Sequence, residues 1–255
     1  MTRHLLVIGA QRCGTTYLHT LLDAHPQIAM ARPARPEPKV FIDAELSARG
    51  REWYVETWFA DAGDADVLGD KSTSYLEHPE AAGRARAMLG SPLVLVQLRD
   101  PVQRAISNWA FSSDNGLERR PLAEALEAGL AEAPDAWDGN GTSVSPFAYL
   151  QRGRYVDYLH PWLEEYGEDL RIGFLEDLAA DRDAIGGTYR FLGVDDAFRP
   201  SAADSPVNAS AADAPAVPSE LEQRLRAWFA DSDAALADLL GRPLPWPTTD
   251  PEGTS

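Results

Sequence analysis

Eight residues near the N-terminus carry the first sign of chemistry. Gly9-Ala10-Gln11-Arg12-Cys13-Gly14-Thr15-Thr16 follows the apolar run Leu5-Leu6-Val7-Ile8 and precedes Tyr17-Leu18-x-x-Leu21-Leu22, whose apolar positions repeat at helical spacing. Strand, glycine-containing turn and helix in that order aim backbone N–H groups and the positive end of a helix dipole at one point, the setting in which a phosphate is held. The two glycines have the spacing of a Walker A loop, G-x-x-x-x-G-K-[ST], but Thr15 occupies the lysine position. In an ATP or GTP enzyme that lysine reaches the β- and γ-phosphates, so its absence weakens a kinase or NTPase reading and leaves the anion nest in place. Arg12 returns a positive charge to the loop. The plain alternative is a turn that binds nothing.

Further cations stand at places where chemistry is possible. The chain has only two lysines, Lys39 and Lys71. Two stray survivors of an Arg-biased composition, or two positions that want a compact point charge, are both open readings. Arg99 ends the buried-strand pattern Leu93-Val94-Leu95-Val96-Gln97-Leu98, at the edge where open α/β sheets bind ligands. Asp100 suits an N-cap and Pro101 a first helical position, so a helix through Trp109 places Ser107 two turns in. A salt bridge from Arg99 to Asp100 or another carboxylate, and an ordinary helix serine at 107, are the alternatives.

The elements that must position these residues alternate between strand and helix. The first helix stops near Asp23-Ala24-His25-Pro26, and Pro33, Pro36 and Pro38 make 31–38 irregular. A helix over Gly50–Phe59 packs aromatics inward, and a short strand at Val67-Leu68 leads into Asp70-Lys71-Ser72-Thr73. Further helices are expected at about 121–132, 147–166 and 182–192, with a strand at Leu170–Phe174 and loops at 134–146 and 200–218. Ser219-x-x-Glu222 reads as a capping box opening an amphipathic helix, with Leu221, Leu225 and Trp228, that closes around Gly241. A frayed tail is expected over 246–255. The pattern implies one α/β domain over 1–245 with a largely parallel sheet.

Composition bounds the partners. The 255 residues are 44% hydrophobic with a net charge of −17, which fits one domain with a large core and disfavours nucleic acid or an anionic membrane surface as the main partner. Residues 1–42 carry five basic against two acidic side chains, net +3, and the rest of the chain −20. Met1-Thr2-Arg3-His4 lacks a signal-peptide pattern, no apolar run approaches the ~18–20 residues of a membrane span, and Cys13 is the single cysteine. A cytoplasmic protein is expected, in which Asn140-Gly141-Thr142 and Asn208-Ala209-Ser210 carry no glycosylation meaning.

Arg12-Cys13-Gly14-Thr15-Thr16 resembles the 5′-phosphosulfate loop, usually K-[ST]-G-T-T, of sulfotransferases that use 3′-phosphoadenylyl sulfate (PAPS). The stretch Val94-Leu95-Val96-Gln97-Leu98-Arg99-Asp100-Pro101-Val102-Gln103-Arg104-Ala105-Ile106-Ser107 resembles the 3′-phosphate motif of the same family, a strand followed by R-D-P-x-x-R-x-x-S. The resemblance covers roughly residues 4–245. It implies a P-loop NTPase-like fold, a mostly parallel sheet flanked by helices, and transfer of a sulfuryl group from PAPS to a hydroxyl of a small molecule or glycoside without a metal. It implies cofactor contacts from Arg12, Cys13, Gly14, Thr15, Thr16, Arg99 and Ser107. Arg12 stands where a lysine is usual, so its help to the leaving group is electrostatic only.

The same resemblance extends to the acceptor side. Pro36-Glu37-Pro38-Lys39-Val40-Phe41 is similar to the E-x-H/K-x-F segment of heparan-sulfate-type and related bacterial sulfotransferases, which makes Glu37 the general base and Lys39 its acceptor-side neighbour; Gly50-Arg51-Glu52-Trp53-Tyr54 is similar to the G-x-x-W-Y that follows. Gly69-Asp70-Lys71-Ser72-Thr73-Ser74-Tyr75 resembles an E/D-K-[ST]-P-x-Y segment in which Lys71 contacts the sulfuryl group or the acceptor, Thr73 replacing the usual proline. Arg152-Gly153-Arg154-Tyr155 resembles an R-G-x-Y segment that brings Tyr155 to the nucleotide, and Val207-Asn208-Ala209-Ser210 is similar to a loop that closes over it. A K-G-R-type basic loop is not visible. His4, His19, His25, His78 and His160 lack metal-ligand spacing and read as structural or surface residues. Cys13 reads as a small loop residue, with an oxidisable thiol at a helix start as the alternative. Two other functions stay open: a nucleotide-dependent phosphotransferase on a variant P-loop, and a non-catalytic nucleotide-binding protein. The expected partner is a compact, weakly charged acceptor shaped by 31–38, 110–120 and 134–146.

Overall fold

A computed structural model describes residues 2–131, 144–201 and 215–249. In chain order they form β1 (Arg3–Gly9), α1 (Thr15–Asp23), β2 (Ile28–Met30), α2 (Ala44–Ala48), α3 (Gly50–Trp58), β3 (Val67–Lys71), α4 (Pro79–Leu89), β4 (Leu93–Leu98), α5 (Pro101–Asp114), α6 (Leu122–Ala131), α7 (Val156–Tyr166), β5 (Leu170–Phe174), α8 (Leu175–Ala180), α9 (Ile185–Leu192) and α10 (Ser219–Leu240). The strands make one sheet of order β2-β3-β1-β4-β5, with every pairing parallel. Parallel neighbours cannot be joined by tight turns, so helices carry the crossovers, and strands covered on both faces read as continuous apolar runs. This is the expected α/β class, and the P-loop NTPase-like arrangement follows the same strand–loop–helix start. After β3 the chain passes to the other side of β1 to form β4, which makes the C-terminal end of β1 a topological switch point.

The described residues fall into two compact units, one drawn from residues 1–98 and 158–207, the other from 99–157 and 208–255. In the first, Leu5, Val7 and Leu95 of the sheet pack with Leu18, Leu21 and Leu22 of α1 and with Ile185, Tyr189 and Leu192 of α9. In the second, Val102, Ala105 and Ile106 of α5 pack with Leu122 and Leu126 of α6 and Leu221, Leu225 and Phe229 of α10.

Several boundaries differ from the sequence expectation. The helix expected over 147–166 begins only at Val156, because the Tyr149 carbonyl accepts from the buried Arg104 guanidinium and the Pro146 carbonyl from Asn108 and Ser112; residues 151–153 make one 3-10 turn. The Ser219 capping box does not form. Pro218 is the N-cap, Ser219 the first helical residue, and Glu222 reaches Arg226 instead. β2 and α8 escaped the reading because three and six residues give too little periodicity to register. Trp246, at the start of the expected tail, is buried and donates to Asp233. The sites Asn140-Gly141-Thr142 and Val207-Asn208-Ala209-Ser210, most of the loops at 134–146 and 200–218, and residues 250–255 lie outside the described residues.

Asp100 does not pair with Arg99. It caps α5 by accepting from Val102 N at 2.9 Å, and both its oxygens accept from the Arg226 guanidinium at 2.7 Å, with the two side chains only 9% and 11% exposed. A fork-to-fork pair this dry is costly to break from one side, since the survivor is left charged and desolvated. Asp100→Ala is expected to lower the unfolding free energy by about 3 kcal/mol in a urea titration, with part of the loss recovered in Asp100→Ala/Arg226→Met; an unchanged urea midpoint would refute the account.

Candidate functional site

β1 delivers the chain into the loop at Gly9, where a Cβ would lie 2.9 Å from the Leu76 side chain, so glycine is the residue that fits. Ala10 N donates to the Gln97 carbonyl at 2.8 Å, tying the loop to the end of β4. Arg12 and Gly14 take left-handed backbone angles, φ 68° and 74°. Gly14, which has no side chain to cap with, is the N-cap of α1, and the first turn holds no acid. The helix end thus keeps its positive potential, a condition for an anion nest. Thr15 is buried and Thr16 exposed. Cys13 is fully buried, with its Sγ 3.7 Å from the Gln11 carbonyl, which fits the small loop residue and withdraws the thiol from solvent oxidants.

The end of β3 supplies the second part. Lys71 is the last residue of the strand and pairs in register with Val7 of β1. Its Nζ donates to Glu37 Oε1 at 2.5 Å, the two side chains being 10% and 16% exposed. Thr73 N donates to Glu37 Oε2 at 3.1 Å, and Thr73 Oγ1 lies 3.2 Å from both carboxylate oxygens. Thr73 thus holds the carboxylate where the usual segment has a proline, which has no N–H to donate. Gln11 Nε2 donates to Ser74 Oγ at 3.1 Å, so the anion loop and the lysine segment are tethered directly. The structure brings together Glu37, Lys71 and the 9–14 loop within the first unit. Lys39, at φ 52°, is half-buried, and its backbone N donates to Ser72 Oγ at 2.9 Å.

Beneath this pair lies a group that sequence reasoning passed over. Asp70 is fully buried, accepts from Ser72 Oγ at 2.7 Å, and accepts from the Tyr75 and Tyr54 hydroxyls at 2.9 and 3.1 Å. Burial pushes its pKa up to about 6, against the three hydrogen bonds that favour the charged form. Both tyrosine hydroxyls are pushed upward, chiefly by burial. An acid directly after the apolar run Val67-Leu68-Gly69 was the available signal.

In the second unit, Arg99 is partly buried, and its Nη1 has no hydrogen-bond partner among the described residues. Its carbonyl accepts from the Tyr155 hydroxyl at 2.7 Å. Ser107 is buried on α5. Arg104, inside the same R-D-P-x-x-R run, is a structural residue: fully buried, it donates to Asn108 Oδ1 at 3.2 Å and to the Tyr149 carbonyl. Among the histidines, His25 Nδ1 accepts from Gln27 N, so its Nε2–H donates to the Asp195 carbonyl. His4 is buried and lowered to about 4, first by burial and then by Arg51. His19 is lowered chiefly by burial and feels the charges of Lys71 and Glu37. Among the described residues no helix is long and apolar enough to cross a membrane.

The sequence profile described as a sulfotransferase domain matches residues 2–209. The bifunctional heparan sulfate N-deacetylase/N-sulfotransferase 1 of Caenorhabditis briggsae is 31% identical over 173 residues, covering 64% of this chain and 19% of that protein. Heparan sulfate glucosamine 3-O-sulfotransferase 3A1 of Mus musculus is 29% identical over 161 residues, covering 63% of this chain and 37% of that protein. The matched region thus spans from under a fifth to little over a third of these relatives' length. The crystal structure of a sulfotransferase from Alicyclobacillus acidocaldarius superposes with a TM-score of 0.77 at 23% identity, over 96% of this chain and 98% of that one, a likeness of fold.

The loop geometry leaves no room at Gly14, where a Cβ would sit 2.4 Å from Leu175 Cδ1 at a positive φ. Gly14→Ala is expected to destabilise the fold by about 1–3 kcal/mol, read as a lowered midpoint in thermal unfolding; wild-type stability in that variant would mean that the loop relaxes freely.

Proposed function

The chain belongs to the sulfotransferase domain family, and from that premise we propose that it transfers a sulfuryl group from PAPS to a hydroxyl of a compact, weakly charged acceptor, as one sulfotransferase domain over 1–245. The observation that carries the reading is the Glu37–Lys71 pair, a carboxylate and an ammonium 2.5 Å apart on a segment hydrogen-bonded to the anion loop through Ser74 and Gln11. The residues fit the donor. The loop has two left-handed residues and a glycine N-cap at the helix start for the 5′-phosphosulfate, and Arg99 Nη1, without a hydrogen-bond partner among the described residues, suits the 3′-phosphate.

PAPS, when bound, supplies the sulfuryl group and a phosphate leaving group. In this reading the loop N–H groups and the Thr15 and Thr16 hydroxyls hold the 5′-phosphosulfate, with Cys13 and Gly14 shaping the turn. Arg12 offsets the charge that builds on the bridging oxygen, and it does so without giving up a proton, since guanidinium does not titrate in this range. Arg99 and Ser107 take the 3′-phosphate, and Tyr155 fixes the Arg99 backbone. Glu37 accepts the proton of the acceptor hydroxyl. Lys71 and Thr73 orient the carboxylate, and the Lys71 ammonium with that of Lys39 meets the negative charge of the group in transit. Positioning and fixed charge dominate such a transfer. The relatives named for heparan sulfate bear on the acceptor, but a net charge of −17 disfavours a long sulfated polysaccharide, and a small hydroxylated molecule or glycoside fits better.

Two measurements test this reading. In calorimetric titrations adenosine 3′,5′-bisphosphate is expected to bind roughly tenfold or more tighter than ATP, the worth of one charge-assisted hydrogen bond; tight ATP binding with no response to the bisphosphate sinks the sulfotransferase reading in favour of a phosphotransferase. With radiolabelled PAPS and a panel of hydroxylated acceptors, Glu37→Gln is expected to slow transfer by about 10²–10⁴-fold with bisphosphate affinity nearly unchanged, and retained transfer moves the base elsewhere.

A further inference from the structure

We propose that Asp70 is a positioning residue for Glu37, acting by clamping the backbone of residues 39–41 through Ser72 and Tyr75. The inference rests on the reading of Glu37 and Lys71 given above. Successive residues of a strand point to opposite faces, so Asp70 and Lys71 at the end of β3 serve different neighbours. Lys71 and Thr73 reach Glu37, whereas Asp70 and Ser72 face the buried side.

The direction of each hydrogen bond follows from the charge. An ionised carboxylate only accepts, so the Ser72 hydroxyl spends its one proton on Asp70 Oδ1 and its oxygen is left to accept from Lys39 N, at 2.9 Å. The Tyr75 hydroxyl likewise donates to Asp70 Oδ2 and accepts from Phe41 N at 3.4 Å. Two backbone N–H groups of the segment that carries Glu37 therefore hang on one buried charge through two hydroxyl relays. Arg84 holds the same segment from its carbonyl side, donating to Phe41 O and Ile42 O at 3.1 and 3.0 Å. Lys39 keeps a left-handed φ without being glycine, a conformation that persists only where the surroundings impose it. Those surroundings are the Ser72 relay on one side and the Glu37 contacts two residues earlier on the other.

Among the described residues the groups facing Asp70 are Ser72 and Tyr75 on its own chain segment, Tyr54 from α3, and the charge of Glu37, which further raises it. The Tyr54 ring meets His4 of β1, ring centroids 6.0 Å apart, and that imidazole stays neutral down to about pH 4. A carboxyl whose folded pKa is raised to about 6 is ionised in the native protein above that pH and protonated below it. Once protonated it becomes a donor itself, and Ser72 is no longer compelled to present its lone pair to Lys39.

The test is solution NMR of the intact chain labelled with ¹⁵N and ¹³C, followed from pH 5 to 8. In the wild type the Lys39 amide and the Glu37 carboxyl carbon are expected to shift together with the Asp70 carboxyl carbon, at a midpoint near 6. In Asp70→Asn that shared transition disappears and the Lys39 amide exchanges with solvent at least tenfold faster at pH 8. Ser72→Ala, which keeps the charge and breaks one relay, is expected to speed Lys39 exchange by a similar factor while the Asp70 carboxyl still titrates, and it decides the matter if Asp70→Asn fails to fold. In either folded variant kcat for sulfuryl transfer falls at least tenfold with bisphosphate affinity within twofold of wild type. A Lys39 amide and Glu37 carboxyl that ignore pH in the wild type, or a Lys39 amide equally protected in the folded variants, overturns the clamp. Failure of the bisphosphate to bind the wild type would instead sink the sulfotransferase reading, and the NMR comparisons would still decide the clamp.

Discussion

Every candidate group of the first unit depends on one constraint, the parallel register of β3 against β1. That pairing sets Lys71 beside Val7, two residues short of the turn at Gly9, so the lysine segment and the anion loop leave the sheet at the same edge. The hydrogen bond from Gln11 to Ser74 joins the two segments just beyond that edge. A slip of one residue would turn Lys71 to the face that Asp70 occupies and bury an ammonium where the fold holds a carboxylate. The apolar runs on β1 and β4 resist such a slip, since α1 and α9 cover Leu5, Val7 and Leu95 on one face. Core packing thus fixes the relative height of charges that never touch the core.

What the sequence disclosed was local. The strand–loop–helix at the N-terminus, the strand ending at Arg99, and the Asp100-Pro101 helix start are each written in under twenty consecutive residues, and each stands where the pattern put it. The Glu37–Lys71 pair joins residues 34 apart, so no spacing rule reveals it, and only the resemblance to a family suggested that both belong to one site. The Asp70 cage draws on Tyr54, Ser72 and Tyr75, ordinary residues whose convergence exists only after the sheet, α3 and the turn after β3 have packed. The misread helix at 147–155 has a comparable cause. Its residues are acceptable helix formers, but Arg104 takes the Tyr149 carbonyl, and local propensity yields to a buried cation that must be satisfied. The failed capping box at Ser219 is a shift of one position, which turns a cap into an ordinary first-turn residue.

The chain also divides its cations by task. Its arginines are mostly spent on the fold: Arg226 on Asp100, Arg104 on Tyr149 and Asn108, Arg84 on the carbonyls of Phe41 and Ile42, Arg86 on Glu165. A planar guanidinium with five donors suits such work, because it can satisfy several acceptors at once from a fixed position. In a chain with 40 acidic residues, this use of arginine keeps carboxylates ordered rather than merely neutralised.

The two lysines carry a consequence of a different kind. Both belong to the Glu37 neighbourhood, one bonded to its carboxylate and one hung from Ser72, and these 255 residues contain no other side-chain amine. Reagents that acylate or reductively alkylate amines, which label most proteins indiscriminately over their surface, would here find side-chain targets at only two positions, both on segments that meet at Glu37. The molecule thus carries a built-in chemical reporter, in which the extent of amine labelling reads how tightly that centre is closed.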